Sequence, residues 1–206
     1  MAGWSRHEGL AVGLPLAGID TDQLLPARFM ATPRSAGYGR FLLHDLRHDA
    51  DGAPRPDFPL NDPAATGASI LIARRNFGGG SSREGAVYAL IDAGFRAVIG
   101  PSFGDIFAAN AVNNGLLPAR VDEATAERLI AAAPLALRVD LAARRLEAMG
   151  LSIGFELDDQ SREKLINGWD DIDLTLKHGE AIERHAAARR DAAPWLWPAV
   201  ATETGH

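Results

Sequence analysis

Apolar positions come in short runs separated by helical patches. Residues 10–14 read as a strand ended by Pro15, and residues 69–73 and 97–99 as two buried strands. Between the last two, Ala86, Ala89, Leu90 and Ala93 share one helical face, and Gly94 is a natural stop. The unit is therefore strand, glycine loop, helix, strand. Asp105–Asn113 follows as a helix with Ile106, Ala109 and Asn113 on one face, ended by Asn114-Gly115, and residues 116–121 lead into the next element. Residues 124–133 form a helix capped by Asp122, and Leu135–Asp140 alternates as a strand does. Residues 145–148 and 151–157 make two more strands about a turn at Met149-Gly150. Asp159–Asn167 returns to helix, stopped by Gly168, and residues 180–190 form a last, exposed helix. Parallel strands flanked by helices, then a later strand pair, indicate an α/β domain with a mixed sheet. It spans residues 1–191, with a tail at 192–206 in which Trp195 and Trp197 either anchor onto the domain or meet a partner. Upstream, residues 38–46 suggest a short helix. Residues 48–63 form a long polar connection with Pro54, Pro56 and Pro59, either functional or a solvated surface loop.

The glycine loop holds the densest candidate chemistry. Asn76-Phe77-Gly78-Gly79-Gly80-Ser81-Ser82-Arg83-Glu84-Gly85 lies between a strand and a helix. Glycines let backbone approach a ligand closely, and serines opening a helix would present free N–H groups to an anion. Arg83 adds a fork that matches a carboxylate. The plainer alternative is a glycine turn with Ser81-x-x-Glu84 as a capping box and an exposed arginine. No Gly-Lys-Ser/Thr follows, so this is no Walker loop, and Arg83 stands where the dinucleotide fingerprint needs its third glycine. Asp20 and Asp22, in the turn Gly18-Ile19-Asp20-Thr21-Asp22, either serve a site or bond nearby backbone N–H groups; two carboxylates alone make a poor metal site. Arg28, Arg34 and Arg40 could each meet a substrate carboxylate or stay solvated.

Composition narrows the classes. With 206 residues, 47% of them hydrophobic, the chain can bury a sizeable core, and no apolar run approaches the roughly 20 residues of a membrane span. Residues 1–8 lack the basic and apolar blocks of a signal peptide, which suggests a cytoplasmic protein. A net charge of −6 argues against a nucleic-acid surface. There is no cysteine, so neither a disulfide, a thiol nucleophile nor a cysteine-held iron–sulfur cluster belongs to this chain. The six histidines are scattered along the chain, and none is taken as a metal ligand.

The stretch from Asn76 to Glu84 resembles the signature loop of the aconitase superfamily's swivelling domain. The likeness continues through Gly94-Phe95-Arg96-Ala97-Val98-Ile99, Ser102-Phe103-Gly104-Asp105-Ile106-Phe107, Asn110, and Asn114-Gly115-Leu116-Leu117-Pro118. Upstream, Ile19-Asp20-Thr21-Asp22-Gln23-Leu24-Leu25-Pro26 resembles the superfamily's opening motif. Downstream, Ile166-Asn167-Gly168-Trp169-Asp170-Asp171-Ile172 and Leu174-Thr175-Leu176-Lys177-His178 resemble the tail of one branch, the bacterial small subunits of 3-isopropylmalate dehydratase.

The resemblance implies a swivelling β/β/α fold and a hydro-lyase that isomerises a 2-hydroxy dicarboxylate by dehydration and rehydration in leucine biosynthesis. It implies a heterodimer with a cysteine-bearing large subunit. That partner would carry a [4Fe–4S] cluster acting as Lewis acid on the leaving hydroxyl, so this chain alone should be inactive and hold no metal. By position in the loop, Ser81 would be the base, supported by Asp22, while Ser82, Arg83 and Gly80 would hold substrate. The segment 48–63 would approach the substrate side chain. Gly79 and Gly85 depart from the branch's usual loop, which leaves open a paralogue acting on a citramalate, dimethylmalate or homocitrate relative. A non-catalytic binding or regulatory subunit is the other alternative.

Overall fold

The computed structural model describes residues 2–197. They fall in two compact units, Met1–Asp170 and Asp171–His206. The first is built on one seven-stranded sheet of β1 (Arg6–Leu14), β2 (Ile70–Ala73), β3 (Ala97–Gly100), β4 (Leu117–Arg120), β5 (Leu135–Asp140), β6 (Arg145–Ala148) and β7 (Leu151–Gly154). Their order is β4-β3-β2-β1-β5-β6-β7. β1 to β4 run parallel, whereas β5, β6 and β7 extend the sheet antiparallel from β1. The expected α/β architecture with a mixed sheet is what forms.

Alternation along the strands fills both faces. Leu71, Ala73 and Val98 enter one core with Leu14 and Leu90, while Ile70, Ile72, Ala97 and Ile99 enter the other with Leu129 and Leu137. Three longer helices have bounds close to those expected. They are α4 (Asp105–Asn113), α5 (Glu123–Ala132) and α6 (Asp159–Asn167). The Asp122 side chain accepts the Thr125 N–H at 2.8 Å and so caps α5 as expected. Asp158 caps α6 in the same way, and Gly168 ends it at φ +73°.

Four expectations are corrected. β1 is longer than residues 10–14. Its first half, residues 6–10, pairs only with β5, in the register Arg6↔Asp140 to Leu10↔Ala136, so it can carry Arg6, His7 and Glu8. The buried face of α4 is Phe107, Ala111 and Val112, and Ile106 stands 52% exposed with Ala109 also outside. The reason is the aromatic cluster in which the Phe107 ring meets Phe77 at 5.4 Å and Phe103 at 6.4 Å; the largest side chain set the helix rotation. Residues 38–46 are a 3₁₀ turn, Gly39–Phe41, and a single helical turn, α2 (His44–Arg47), after the helix turn α1 (Thr21–Leu24). Strand β7 stops at Gly154, beyond which Phe155 is buried and Glu156 bridges to Arg120. The connection 48–63 is tied down, because Asn61 Nδ2 donates to the carbonyls of Arg47 and Arg55 at 2.7 and 2.9 Å, and Phe58 is buried.

In the second unit, α7 (Asp171–Leu176) and α8 (Gly179–Ala192) contain no buried residue, and Pro194–Leu196 adds a 3₁₀ turn. The exposed final helix is as expected. Trp195 is 77% exposed, and the Arg190 guanidinium lies 4.8 Å from the Trp197 ring centroid. Pro198 and the rest of the expected tail lie outside the described residues.

Candidate functional site

Three connections leave the carboxyl ends of β1, β2 and β3, and backbone hydrogen bonds stitch them together. Gly78 N–H donates to the Ile19 carbonyl at 2.7 Å, and Thr21 N–H donates to the Gly79 carbonyl at 2.9 Å. On the other side, Phe77 N–H donates to the Ser102 carbonyl at 3.1 Å and Gly104 N–H to the Phe77 carbonyl at 2.9 Å. The glycine loop thus lies as a short ladder between residues 19–21 and 102–104.

Two glycines make this passage possible. Gly78 has φ +74°, and a Cβ there would sit 2.2 Å from Phe107 Cγ. Gly80 has φ +96°, and a Cβ there would come within 3.4 Å of Thr21 Oγ1. Only glycine takes such backbone without strain, so the loop passes directly over Phe107 and Thr21.

The helix after the loop, α3, spans Gly85–Asp92. Glu84 is its N-cap residue, with no side-chain capping bond, and instead accepts from Asn114 Nδ2 at 2.8 Å. The Ser81–Glu84 capping box is therefore absent, and Ser81 and Ser82 stand before the helix rather than in its first turn. A capping box does occur nearby in space: Asp20 accepts the Gln23 N–H at 2.7 Å while Gln23 Oε1 accepts the Asp20 N–H at 2.9 Å. That is the backbone-bonding role weighed for the aspartates, and Asp20 fills it. Gly85, a departure in the resembling loop, has a packing reason, since a Cβ there would lie 2.8 Å from Cδ2 of the buried Leu25.

The five residues singled out from the sequence are brought to one surface. Arg83 pairs through Nη1 with Asp22 and donates from the same nitrogen to the Leu25 carbonyl at 3.2 Å. The Arg83 side chain is 15% exposed and that of Asp22 59%, so the pair is half in solvent and its attraction is partly screened. The Ser81 Oγ lies 3.2 Å from Thr21 Oγ1. Asp22, Gly80, Ser81 and Ser82 are exposed. This is a face open to solvent. A cleft of about 620 Å³ lined by Phe103, Asp105, Arg120, Arg144 and Phe155 includes none of the five.

The other arginines are engaged elsewhere. Arg28 pairs with Asp45, whose carboxyl that hydrogen bond holds down to about 2, and Arg34 grips Asp92 through two bonds of 2.6 and 2.9 Å. The Arg40 guanidinium lies 4.6 Å from the Phe41 ring centroid. Among the described residues no group of three or more His, Cys, Asp or Glu side chains could hold a metal ion. Two contributors escaped the sequence reasoning as individuals. Thr21 figured only within a motif, and Phe107 was assigned no face although it carries the loop.

Comparison with known proteins names this architecture. The aconitase C-terminal domain family matches residues 1–124. The family formed by the C-terminal domain of the 3-isopropylmalate dehydratase small subunit matches residues 171–199. The small subunit of 3-isopropylmalate dehydratase from Rhodospirillum centenum is 47% identical, over 91% of this chain and 95% of that protein. The chain belongs to the 3-isopropylmalate dehydratase small-subunit family. Another relative of that name, from Teredinibacter turnerae, is 40% identical over 97% of this chain and 99% of its own length. The crystal structure of 3-isopropylmalate dehydratase from Methanocaldococcus jannaschii superposes with a TM-score of 0.63 at 22% identity, covering 87% of this chain and 99% of that one, and so shares the fold. The match to the family's C-terminal domain begins at residue 171, where the second compact unit also begins.

Proposed function

We propose that this chain is the small subunit of a 3-isopropylmalate dehydratase, a hydro-lyase of leucine biosynthesis that interconverts 2- and 3-isopropylmalate by loss and return of water. The observation that carries the proposal is the 47% identity over 91% of the chain to a relative of that name. The open geometry supports a subunit role. Ser81, Ser82 and Asp22 face solvent, and proton transfer from carbon needs a covered, water-poor site. The cover would come from the large subunit. So would the [4Fe–4S] cluster, because this chain has no cysteine and its described residues group no set of metal-ligating side chains. The same proposal places the enzyme in the cytoplasm; among the described residues no helix is long and apolar enough to cross a membrane.

In this reading the substrate proton alpha to a carboxylate goes to Ser81 Oγ. Arg83 and Ser82 hold a substrate carboxylate against a chain whose net charge of −6 repels it. Arg83 spends Nη1 on Asp22 and Leu25, which leaves its Nε–Nη2 edge for a bidentate carboxylate. Asp22 keeps the fork oriented before substrate arrives. Gly80 turns the backbone so that Ser81 faces out.

The test is an assay of the chain reconstituted with its large subunit, on 2-isopropylmalate, citramalate, dimethylmalate and homocitrate, with Ser81→Ala beside it. The expected result is turnover of 2-isopropylmalate in preference to the others, and a fall in kcat of about a thousandfold in the variant, the scale of a lost general base. Preference for another hydroxy acid, or an assembled complex inert on all of them, would overturn the substrate. Wild-type kcat in Ser81→Ala would overturn the role of Ser81.

A further inference from the structure

Two polar residues are buried among those described, Thr21 and Thr125. Thr125 is accounted for, because its hydroxyl donates to Asp122 at 2.8 Å inside the cap of α5. Thr21, 2% exposed, instead aims its hydroxyl at the glycine loop. Its Oγ1 lies 3.1 Å from the Ser81 carbonyl oxygen and 3.2 Å from Ser81 Oγ. The position is held from several sides. Thr21 N–H bonds to the Gly79 carbonyl, the Leu25 N–H bonds to the Thr21 carbonyl at 3.1 Å, and Gly80 passes directly above.

The proton count gives this arrangement a direction. A carbonyl oxygen only accepts, so the single Thr21 proton goes to the Ser81 carbonyl. Thr21 Oγ1 then accepts from the Ser81 hydroxyl, whose lone pairs are left facing the open side. If Ser81 loses its proton, the preferred bond changes. The alkoxide is a stronger acceptor than a carbonyl, and the two distances are nearly equal. A rotation about the Thr21 Cβ–Oγ1 bond redirects the proton without moving a heavy atom. Burial of Thr21 strengthens that bond, because little water competes for it.

We propose that Thr21 is a positioning residue for Ser81, holding the hydroxyl in one orientation when it is neutral and turning its own O–H onto Oγ when it is ionised. The proposal rests on the reading of Ser81 as the base. The steps balance as follows. Before the site is covered, Ser81 Oγ–H gives its proton to a water, which carries it into solvent as hydronium, and Thr21 swings to the alkoxide. The alkoxide then takes the proton from substrate carbon, the bonding electrons stay on that carbon, and Thr21 returns to the carbonyl.

The experiment uses the reconstituted two-subunit enzyme with Thr21→Val, which keeps the shape without the hydroxyl, and Thr21→Ser, which keeps the hydroxyl. The valine variant is expected to lose about tenfold or more in kcat, the worth of a hydrogen bond to a charged group, with KM within about twofold. The acidic limb of its kcat–pH profile is expected to move up by about one unit, and Thr21→Ser to restore both. A filler role would not move that limb. Unchanged kcat and an unchanged limb in Thr21→Val, with Ser81→Ala inactive, would overturn the role of Thr21 and leave Ser81 as base. Wild-type turnover in Ser81→Ala would remove the base and Thr21 with it. Should the valine variant not assemble with the large subunit, Thr21→Cys, a weak donor, is read in its place, and wild-type kcat and pH limb there would overturn the proposal.

Discussion

The two halves of the sheet are built by different rules. In the parallel half, β2 and β3 are buried at every position, whereas β6 alternates exposed and buried and β7 is mostly exposed. A parallel pair needs a crossover, and each crossover here opens with a loop at the carboxyl end of a strand. Three of those loops converge to place Asp22, Ser81, Ser82 and Arg83 together. The antiparallel half is joined by local turns, such as Met149-Gly150 at φ +54° and +72°, and contributes nothing to that surface. Local connection makes a strand easy to build and keeps its loops apart from those of other strands. Distant connection costs more chain entropy, but it assembles side chains that are far apart in sequence.

The sharpest way to break the comparison is Gly78→Ala. An added Cβ meets Phe107 Cγ at 2.2 Å on backbone at φ +74°. Overpacking of about 1–3 kcal/mol and about 1–2 kcal/mol of left-handed strain add to roughly 3 kcal/mol of lost stability. Urea unfolding of the isolated chain measures it, and a wild-type midpoint would mean that the loop does not depend on the aromatic cluster below it.

A smaller effect is expected from Arg83→Lys in the reconstituted enzyme. Charge is kept but the planar fork is lost, so a non-reacting substrate analogue should bind at least about tenfold more weakly, or about 1.4 kcal/mol. Unchanged Kd with the complex intact would mean that Arg83 serves Asp22 alone.

The smallest effect should come from the other half. Arg138 reaches Glu8 at 3.3 Å and Glu147 at 3.1 Å across three strands, with all three side chains at least half exposed. Arg138→Ala should cost about 0.5 kcal/mol in urea unfolding and leave the kinetics of the reconstituted enzyme unchanged. A loss of substrate affinity there would show that the halves are coupled and that the division drawn between them is wrong.

Much of this was legible along the chain because it rests on neighbours. The strand at β3, the cap at Asp122, the stop at Gly168 and the alternation of β5 depend on residues a few positions apart. The loop from Asn76 to Glu84 was marked as the place for chemistry by its glycines, serines and arginine. The start of α3 was misread because Ser81 and Glu84 have the right spacing for a capping box, but Glu84 bonds Asn114 from another helix instead. The face of α4 was misread because Ile106 and Ala109 fit a helical stripe as well as Phe107 and Ala111 do. Periodicity ranks such stripes only by composition; Phe77 and Phe103, brought in from other connections, decided between them.

By itself the sequence determined most of the strands and longer helices, the cap at Asp122, the stop at Gly168, the exclusion of cysteine chemistry and the identity of the loop, since each follows from local backbone preference or composition. Only the tertiary structure decided that Arg83 meets Asp22, that Thr21 lies under Ser81, and that the group is an open face. Those contacts span some 60 residues of chain, with separations of 61 between Arg83 and Asp22 and 60 between Thr21 and Ser81. No local preference encodes them. They exist because parallel pairing of β1 with β2 brings two distant loops to one end of the sheet.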